Sequence, residues 1–461
     1  MENTVESQYE SAFVWNKFLV QGFQEQIKSP FWTVPLVHGY FRQVKMSVPK
    51  KDFWLTIIAR RSHHFAGPRF LKRGVNELGQ VANDVETEQI VFEDTDDKIP
   101  PQITSVVQRR GSVPLHWSQE TPQFRIKTDI LINRDEEYKA TRLHFESLMA
   151  RHGNPIIVLN LLKIFEKKPH ESALQLEFAR TIDDINENSP AENLILYACM
   201  DMKYYSQRGG ILPYLLLVGS SALERTGIFH CRITPTSASG DSTWKEEVVR
   251  AQLGVLRTNC LDCLDRTNSA QYAYAITAFG HQLEALGLIE ELKISEDDPL
   301  FHNVMDLYEE MGDVLSMQYT GSAAQHKMFW DIKGQSCVIS SFQEVIRSIQ
   351  PYMHNTLWDR GKQDALNVLF GHCQPQQGKP LPPLLCGSEA SCNDEEHGSG
   401  SNTMVQGRHL VLGTQNRTRE PKYQKAFYSN FMEDLPPAGS LKKSSVLPLP
   451  AAAPTDEHVD E

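Results

Sequence analysis

The sequence has no apolar run long enough to cross a membrane. Its longest apolar stretch, 211–223, contains Pro213 and Gly219 and is shorter than the roughly 20 residues that a spanning helix needs. The amino terminus also lacks the basic, apolar and small-residue succession of a secretory signal. We therefore expect a cytoplasmic protein whose membrane contact, where it has any, is peripheral.

Positive charge is scarcer than negative charge. The chain has 46 Lys and Arg against 58 Asp and Glu, a formal net charge of −12. This balance argues against a general nucleic-acid binder, although a local basic patch remains compatible with it. Hydrophobic residues make up 40% of the 461 positions, enough for a substantial core in one large domain or two to three ordinary ones.

The eight cysteines are scattered and form no disulfide framework. This usage indicates a reducing compartment. One pair, Cys260 and Cys263, has Cys-x-x-Cys spacing. A zinc site would need a second ligand pair, and no other such motif occurs. A dithiol redox motif usually opens a thioredoxin-like unit. A third alternative is a disulfide between Cys260 and Cys263 that forms under oxidation and inactivates a reactive thiol.

The most informative stretch is 257–268, which runs RTNCLDCLDRTN. Cys260 and Arg266 are separated by five residues. Such a loop can turn its backbone N–H groups toward one phosphate, and the guanidinium can add two parallel hydrogen bonds. A helix N-terminus and the arginine would favour the Cys260 thiolate, which is the nucleophilic form. The pattern predicts hydrolysis of a phosphate monoester through a phosphocysteine.

The flanking sequence supports a strand, a phosphate loop and a helix in that order. Val255-Leu256 indicates a strand end, and apolar residues at helical spacing predict a helix over 267–288. Asp262 or Asp265 could protonate the leaving oxygen from the loop mouth. Alternatively, both could bind loop amides or stabilise the helix N-terminus.

Alternating patterns predict an α/β fold with a mixed sheet flanked by helices. Helices are expected over 136–151 and 171–186, buried strands over 156–162 and 194–200, and mainly helix over 297–370. Gly153 should end the first helix. We expect one catalytic domain over 1–385 and a low-complexity, disordered tail over 386–461.

The string 257–268 resembles the signature of the Sac-domain phosphoinositide phosphatase family. Further stretches resemble family blocks in family order over roughly 13–370: 69–74, 81–89, 110–119, Asn160-Leu161 and 318–322. The family's β-rich N-terminal subdomain normally precedes the Val14-Trp15-Asn16 region. We therefore expect that subdomain to be largely missing from the chain as given.

The resemblance implies a phosphoinositide phosphatase in which Cys260 is the nucleophile, Arg266 the phosphate clamp and Asp262 the general acid. We expect further residues to bind the substrate: Asn259, Cys263, Asp265, Thr267, Asn268, Arg60, Arg61, Arg69, Lys72 and Arg73. The last five form a basic cluster that would face anionic lipid. The alternative is that they pair with acidic residues such as Glu86 and Glu88.

In detail the chain is similar to the soluble subgroup that removes the 5-phosphate of phosphatidylinositol 3,5-bisphosphate at vacuolar or endolysosomal membranes, plant members included. A 3- or 4-phosphate specificity and a Golgi location are alternatives. The chemistry requires no metal, but the resemblance leaves room for Mg²⁺ stimulation. It also implies a complex with a phosphatidylinositol 3-phosphate 5-kinase and its scaffold protein. The rival functions are a non-enzymatic scaffold of that complex and a phosphoprotein phosphatase.

Overall fold

The computed structural model describes most of the first 373 residues. The described ranges are 10–27, 32–49, 51–95, 100–120, 129–133, 135, 137–207, 210–235, 244–290, 292, 294–324, 327–332 and 359–373. The predicted tail over 386–461 lies outside them.

A nine-stranded mixed sheet forms the centre of the described part. Its main path runs β1-β2-β3-β4-β11-β7-β8, and the β9–β10 hairpin pairs with β4 through β9. The strands are β1 (Gly39–Val48), β2 (Lys51–Arg61), β3 (Val85–Glu93), β4 (Gln102–Gly111), β7 (Ile156–Asn160), β8 (Ile195–Cys199), β9 (Phe229–Pro235), β10 (Trp244–Arg250) and β11 (Val255–Asn259). A separate hairpin consists of β5 (Trp117–Glu120) and β6 (Asp129–Ile132).

Helices connect and cover these strands. They are α1 (Lys17–Ile27), α2 (Lys139–His152), α3 (Glu171–Glu187), α4 (Met202–Ser206), α5 (Leu212–Thr226), α6 (Asp265–Ala285), α7 (Pro299–Thr320) and α8 (Lys327–Ile332), with a further helix over 359–369. Among these described helices, none is long and apolar enough to cross a membrane.

Strand direction brings many strand ends to one edge of the sheet. Strands β1 to β4 are antiparallel neighbours, whereas β11 is parallel to both β4 and β7, and β7 is parallel to β8. The register shows the shared edge in successive pairs: Arg61 with Val85, Val85 with Arg110, Gly111 with Asn259, Asn259 with Asn160, and Asn160 with Cys199. Ligands of α/β sheets bind at such a carboxyl edge.

Neither of the two central strands exposes a face to solvent. All five residues of β7 and all five of β11 are buried, which explains why β7 is a continuous apolar run rather than an alternating one. Helix α6 packs on this region with Tyr272, Tyr274 and Phe279 fully buried. The core therefore lies directly beneath the loop that follows β11.

The predicted α/β fold is confirmed. The predicted helices over 136–151, 171–186 and 267–288 correspond to α2, α3 and α6, and Gly153 caps α2 as expected. The strands over 156–162 and 194–200 correspond to β7 and β8. The sequence patterns missed the long antiparallel strands β1, β3 and β4. In β3 and β4 the buried positions include polar residues such as Gln89 and Gln108, which obscure an alternating pattern.

The chain makes a tight approach just before β11. Gly254 has a φ of +76°, and a Cβ placed on it would collide with the main chain of Pro155. Its N–H donates to the carbonyl of His152 at 2.7 Å. Only glycine meets both conditions without strain.

We expect Gly254→Ala to lower the free energy of unfolding by about 2 kcal/mol or more, because the added methyl needs both a positive φ and space that is filled. The matched control is Gly22→Ala in α1, where a Cβ meets nothing within 4 Å. That change should be neutral or stabilising by up to about 1 kcal/mol. Urea denaturation measures both, and equal stabilities of the two variants would contradict the prediction.

Candidate active site

The loop after β11 sits at the carboxyl edge of the sheet, between Asn259 and the start of α6. Its carbonyl groups are held by side chains from outside the loop. Arg73 Nη1 donates to the Leu261 carbonyl at 2.7 Å, Asn83 Nδ2 donates to the Asp262 carbonyl at 3.3 Å, and Arg110 Nη2 donates to the Cys263 carbonyl.

These contacts orient the opposite side of each peptide unit. In a trans peptide the C=O and the next N–H point in opposite directions. Within the described part of the chain, the N–H groups of residues 261–264 donate to no carbonyl or side chain. The backbone N–H groups are thus available to an anion, as a phosphate-binding loop requires.

Cys260 lies at the start of this loop and is 2% exposed. Burial raises the pKa of its thiol to about 12, although the charge of Arg266 acts in the opposite direction. In the substrate-free protein burial outweighs the charge of Arg266 and favours the neutral thiol, which differs from the expectation of a thiolate.

Cys263 faces inward and stabilises the loop. Its thiol donates to the carbonyl of Gly111 at 2.9 Å and lies 3.1 Å from the carbonyl oxygen of Cys260. Its φ of +52° is unusual for a residue with a side chain. Burial raises the pKa of this thiol as well. These contacts give Cys263 a place beneath the loop, not on its substrate side.

Arg266 lies in the first turn of α6 and is bound on one side only. Its Nη1 donates to the Leu161 carbonyl at 2.8 Å and to Glu171 at 2.7 Å. Its side chain is 28% exposed. Among the described residues, its other two guanidinium nitrogens have no hydrogen-bond partner. They can still bind a phosphate.

Glu171 and Lys163 were missed by the sequence reasoning. Glu171 begins α3, is buried, and accepts from Lys163 Nζ at 2.7 Å as well as from Arg266. Burial opposes its ionisation, but Arg266 and Lys163 outweigh burial and lower its pKa. A lone acidic residue at the start of a helix gave no signal, because its partner is 95 residues away.

Asp262 projects toward two arginines. Its side chain is 34% exposed and lies 2.6 Å from Arg73 Nη2 and 3.8 Å from Arg69 Nη1. Burial opposes ionisation, but Arg73 and Arg69 outweigh it and lower the pKa to about 2. At neutral pH Asp262 is therefore a carboxylate in the substrate-free protein and carries no proton to donate.

The basic cluster does not form one exposed surface. Arg61 and Arg73 are buried, and Arg60 pairs with Glu86 and Glu88. The prediction that all five residues face anionic lipid is wrong, because two are buried and a third is neutralised. For Arg60 the alternative, pairing with acidic residues of the same protein, is confirmed.

Two cluster members lie on the segment that carries Arg73. Arg69 lies beside Asp262, and the ammonium of Lys72 lies 4.5 Å from the centre of the Phe65 ring. Only these two remain candidates for contact with an anionic surface.

Three of the predicted substrate-binding residues are buried: Asn259, Thr267 and Asn268. Asn259 donates to Asn160 at 2.6 Å, and Asn268 donates to the Tyr308 carbonyl at 2.6 Å. The amides of Asn259 and Asn268 thus bind β7 and α7 in this conformation, whereas Thr267 Oγ1 has no hydrogen-bond partner among the described residues. The substrate-binding role of the three residues stays a prediction. Asp265 is half-buried in the first turn of α6.

Two more arginines support the loop from below. Arg110 reaches the Cys263 carbonyl and Gln271, and Arg257 donates to Asn259 at 3.0 Å and to the Ser112 carbonyl at 2.6 Å. Both are buried, so they position the site rather than line it. They explain why the stretches 110–119 and 257–268 belong to one structural unit.

An acidic cluster sits next to this support. Asp84 binds Arg109 at 2.7 Å, and Glu86 is contacted by Arg109, Arg151 and Arg60 at 3.1, 2.7 and 3.3 Å. Burial opposes ionisation of Glu86, but the arginines lower its pKa to about 2. The stretch 81–89 therefore supplies the charges that neutralise buried arginines beside the loop.

No group of three or more His, Cys, Asp or Glu side chains gathers as a metal site in the ranges that the structure covers. Asp262 is already paired with arginines, and Glu171 is shared by two cations. The donor set around the loop does not fit a resident Mg²⁺ ion. Within the described ranges, the Cys-x-x-Cys pair likewise has no further ligand to complete a zinc site.

Comparison with known proteins gives consistent matches. A family model described as the SacI homology domain matches residues 1–207. The chain is 46% identical over 428 residues to Phosphoinositide phosphatase SAC2 of Arabidopsis thaliana, covering 82% of this chain and 53% of that protein. It is 40% identical to Phosphatidylinositol-3-phosphatase SAC1 of the same plant, covering 81% and 47%.

A fungal relative matches as well. The chain is 36% identical to the Polyphosphoinositide phosphatase of Schizosaccharomyces pombe, covering 79% of this chain and 44% of that protein. The chain thus spans about half the length of these curated relatives.

We expect Glu86→Gln to lower the free energy of unfolding by about 3 kcal/mol at pH 7, because it removes the buried carboxylate that Arg109, Arg151 and Arg60 share. The folded-state pKa of Glu86 lies below the ordinary 4.5. The stabilisation of the folded state by the ionised Glu86 is therefore complete above pH 4.5 and is lost as the pH falls toward about 2. In urea denaturation across this range, the variant should lose less stability on acidification than the wild type.

The matched control is Glu93→Gln, which breaks a pair whose lysine, Lys51, is 49% exposed. It should cost less than about 1 kcal/mol at pH 7. A Glu86 variant as stable as the Glu93 variant would show that the buried cluster contributes nothing.

Proposed function

Since the chain belongs to the Sac-domain family of phosphoinositide phosphatases, we propose that it hydrolyses a phosphate monoester of a phosphatidylinositol phosphate. The supporting observation is the loop of residues 260–266. Its N–H groups at 261–264 and two guanidinium nitrogens of Arg266 have no hydrogen-bond partner among the described residues, and the charge of Arg266 acts on the Cys260 thiol. A phosphate in that position would receive main-chain and guanidinium hydrogen bonds together.

In the proposed mechanism Cys260 attacks phosphorus and forms a phosphocysteine. Arg266 and the loop N–H groups bind the non-bridging oxygens, whose charge must be stabilised in the transition state. The inositol oxygen leaves with a proton, and water then hydrolyses the phosphocysteine to free the thiol and inorganic phosphate. Substrate entry has to open the mouth of the site, because Cys260 is 2% exposed without it.

Asp262 transfers the proton in this proposal. Cys260 has to lose a proton before attack, and the inositol oxygen has to gain one. Asp262 is ionised in the free protein and lies two residues from Cys260. We infer that its carboxylate takes up the thiol proton once the substrate phosphate has engaged the neighbouring arginines, and then donates it to the leaving oxygen.

The substrate that we favour is phosphatidylinositol 3,5-bisphosphate, with loss of its 5-phosphate at a vacuolar or endolysosomal membrane. The support is the overall similarity to the Sac relatives. One of the two plant relatives is named a 3-phosphatase, whereas the name of the other specifies no ring position. A 3-phosphate specificity is therefore the first alternative to test. Association with a phosphatidylinositol 3-phosphate 5-kinase and its scaffold stays part of this proposal.

Magnesium has no step in this mechanism. Since the described residues do not gather a site for it, the stimulation that the family resemblance implies would act through the phosphates of the substrate.

We expect the wild-type chain to release phosphate from a panel of phosphoinositides, most of all from the 3,5-bisphosphate. Cys260→Ser should reduce that rate below about a tenth, because the oxygen is not a usable nucleophile at this position. The control Cys231→Ser changes a thiol on β9, away from the loop, and should retain the rate. Phosphate release by Cys260→Ser at the wild-type rate would exclude the phosphocysteine.

The position of the released phosphate follows from the lipid products of the same assay. Loss of the 3-phosphate would exclude the 5-phosphate assignment. A wild-type chain that turns over none of the lipids, yet assembles with a lipid kinase, would favour the scaffold function instead.

Asp262→Asn should lower kcat on a phosphoinositide by about 100-fold or more, because the inositol oxygen is a poor leaving group without a proton. The loss should be smaller with 4-nitrophenyl phosphate, whose leaving group needs no proton. Asp184→Asn, which removes a surface aspartate 2.6 Å from Arg142, is the matched control. An equal loss on both substrates would exclude proton donation to the leaving oxygen by Asp262.

A further inference from the structure

One buried carboxylate connects two cations at the mouth of the site. Glu171 Oε2 lies 2.7 Å from Arg266 Nη1, and Oε1 lies 2.7 Å from Lys163 Nζ. The backbone N–H of Lys163 also donates to Oε2 at 3.3 Å. The Glu171 side chain is 4% exposed, so both contacts form in a region of low dielectric, where charge-assisted hydrogen bonds are strong.

Lys163 lies at the same edge of the sheet as the loop. It follows β7, which ends at Asn160 and runs parallel to β11 beside it. Its side chain is 40% exposed, against 28% for Arg266. Both cations are therefore partly exposed at this edge of the sheet, while the carboxylate that joins them is buried.

The charges of this group do not balance. Two cations share one carboxylate, which leaves one positive charge in excess. A carboxylate that only neutralised Arg266 would need no second cation, and ordering a long lysine side chain costs rotamer entropy. The excess charge and the two unbound nitrogens of Arg266 fit a ligand with more than one negative group.

We propose that Glu171 couples Arg266 and Lys163 into one anion-binding unit, in which Arg266 binds the phosphate to be removed and Lys163 binds a second phosphate of the same headgroup. This inference rests on the proposed function. Glu171 is a positioning residue here, because it acts through the two cations. The unit selects substrates that carry two ring phosphates.

The first test compares Lys163→Met with wild type on short-chain phosphatidylinositol mono- and bisphosphates, without a membrane. Loss of one charged contact should lower the ratio of kcat/KM for bisphosphate to that for monophosphate by about tenfold, mainly through KM. The matched control is Lys51→Met. The Lys51 side chain is exposed to a similar extent and lies 2.6 Å from the carboxylate of Glu93, but it is located at the start of β2. It should leave the ratio unchanged.

An unchanged ratio in Lys163→Met would overturn the proposal. So would an effect that appears only on vesicles containing phosphatidylserine, because Lys163 would then contact neighbouring lipids rather than the headgroup.

The second test concerns Glu171. Glu171→Gln should lower kcat/KM on both lipids, because Arg266 serves both, and should lower the bisphosphate-to-monophosphate ratio as Lys163→Met does. The double variant should lower the ratio no further, since both changes disable one unit. Glu171→Asp retains the carboxylate, so its bisphosphate-to-monophosphate ratio of kcat/KM should lie between those of Glu171→Gln and the wild type. A fold-defective Glu171→Gln would lower both rates but leave the ratio intact, and that outcome contradicts coupling.

A binding measurement separates this proposal from the proposed function. Calorimetry on Cys260→Ser with soluble inositol phosphates needs no turnover. Tighter binding of a bisphosphorylated than of a monophosphorylated headgroup, lost with Lys163→Met, supports the unit even where the wild type turns over no lipid. Equal affinity for both headgroups would overturn it even where the lipids are hydrolysed.

Discussion

Side-chain hydrogen bonds to the carbonyl groups of one loop are the contacts on which this site depends. Arg73, Asn83 and Arg110 come from three separate parts of the chain and each binds a different carbonyl between Leu261 and Cys263. Because a peptide unit directs its C=O and N–H to opposite sides, these contacts leave the N–H groups facing the place of the phosphate. The parallel pairing of β11 with β4 brings Arg110 within reach of the loop.

The same arrangement places many charges where water is scarce. Arg61, Arg73, Arg109, Arg110 and Arg257 are all buried, and a buried charge is tolerated only with close partners. Asp84 and Glu86 serve Arg109, while carbonyl and amide oxygens serve Arg110 and Arg257. The first role of the acidic residues near the loop is therefore to stabilise the fold by neutralising buried arginines. This explains why a chain with net charge −12 can contain a strongly cationic centre.

The two groups expected to carry the chemistry rest in states opposite to those required for reaction. The Cys260 thiol keeps its proton because burial outweighs Arg266, and Asp262 has none because Arg73 and Arg69 outweigh burial. In the proposed mechanism the substrate phosphate competes with Asp262 for the arginines, and Asp262 then takes up the thiol proton and passes it to the leaving oxygen.

The sequence by itself determined the fold class, the loop and its flanking elements, because apolar periodicity and the spacing of Cys260 and Arg266 are local properties. It also singled out the stretches 69–74, 81–89 and 110–119. Only the tertiary structure decided what their residues do. Arg73 binds Asp262 across 189 positions, and Arg61, expected on a membrane face, is buried against Asn83 and α7. Glu171 reaches Arg266 across 95 positions. Burial and partner choice depend on which strand ends meet at the sheet edge, and strand order is not a local property of the chain.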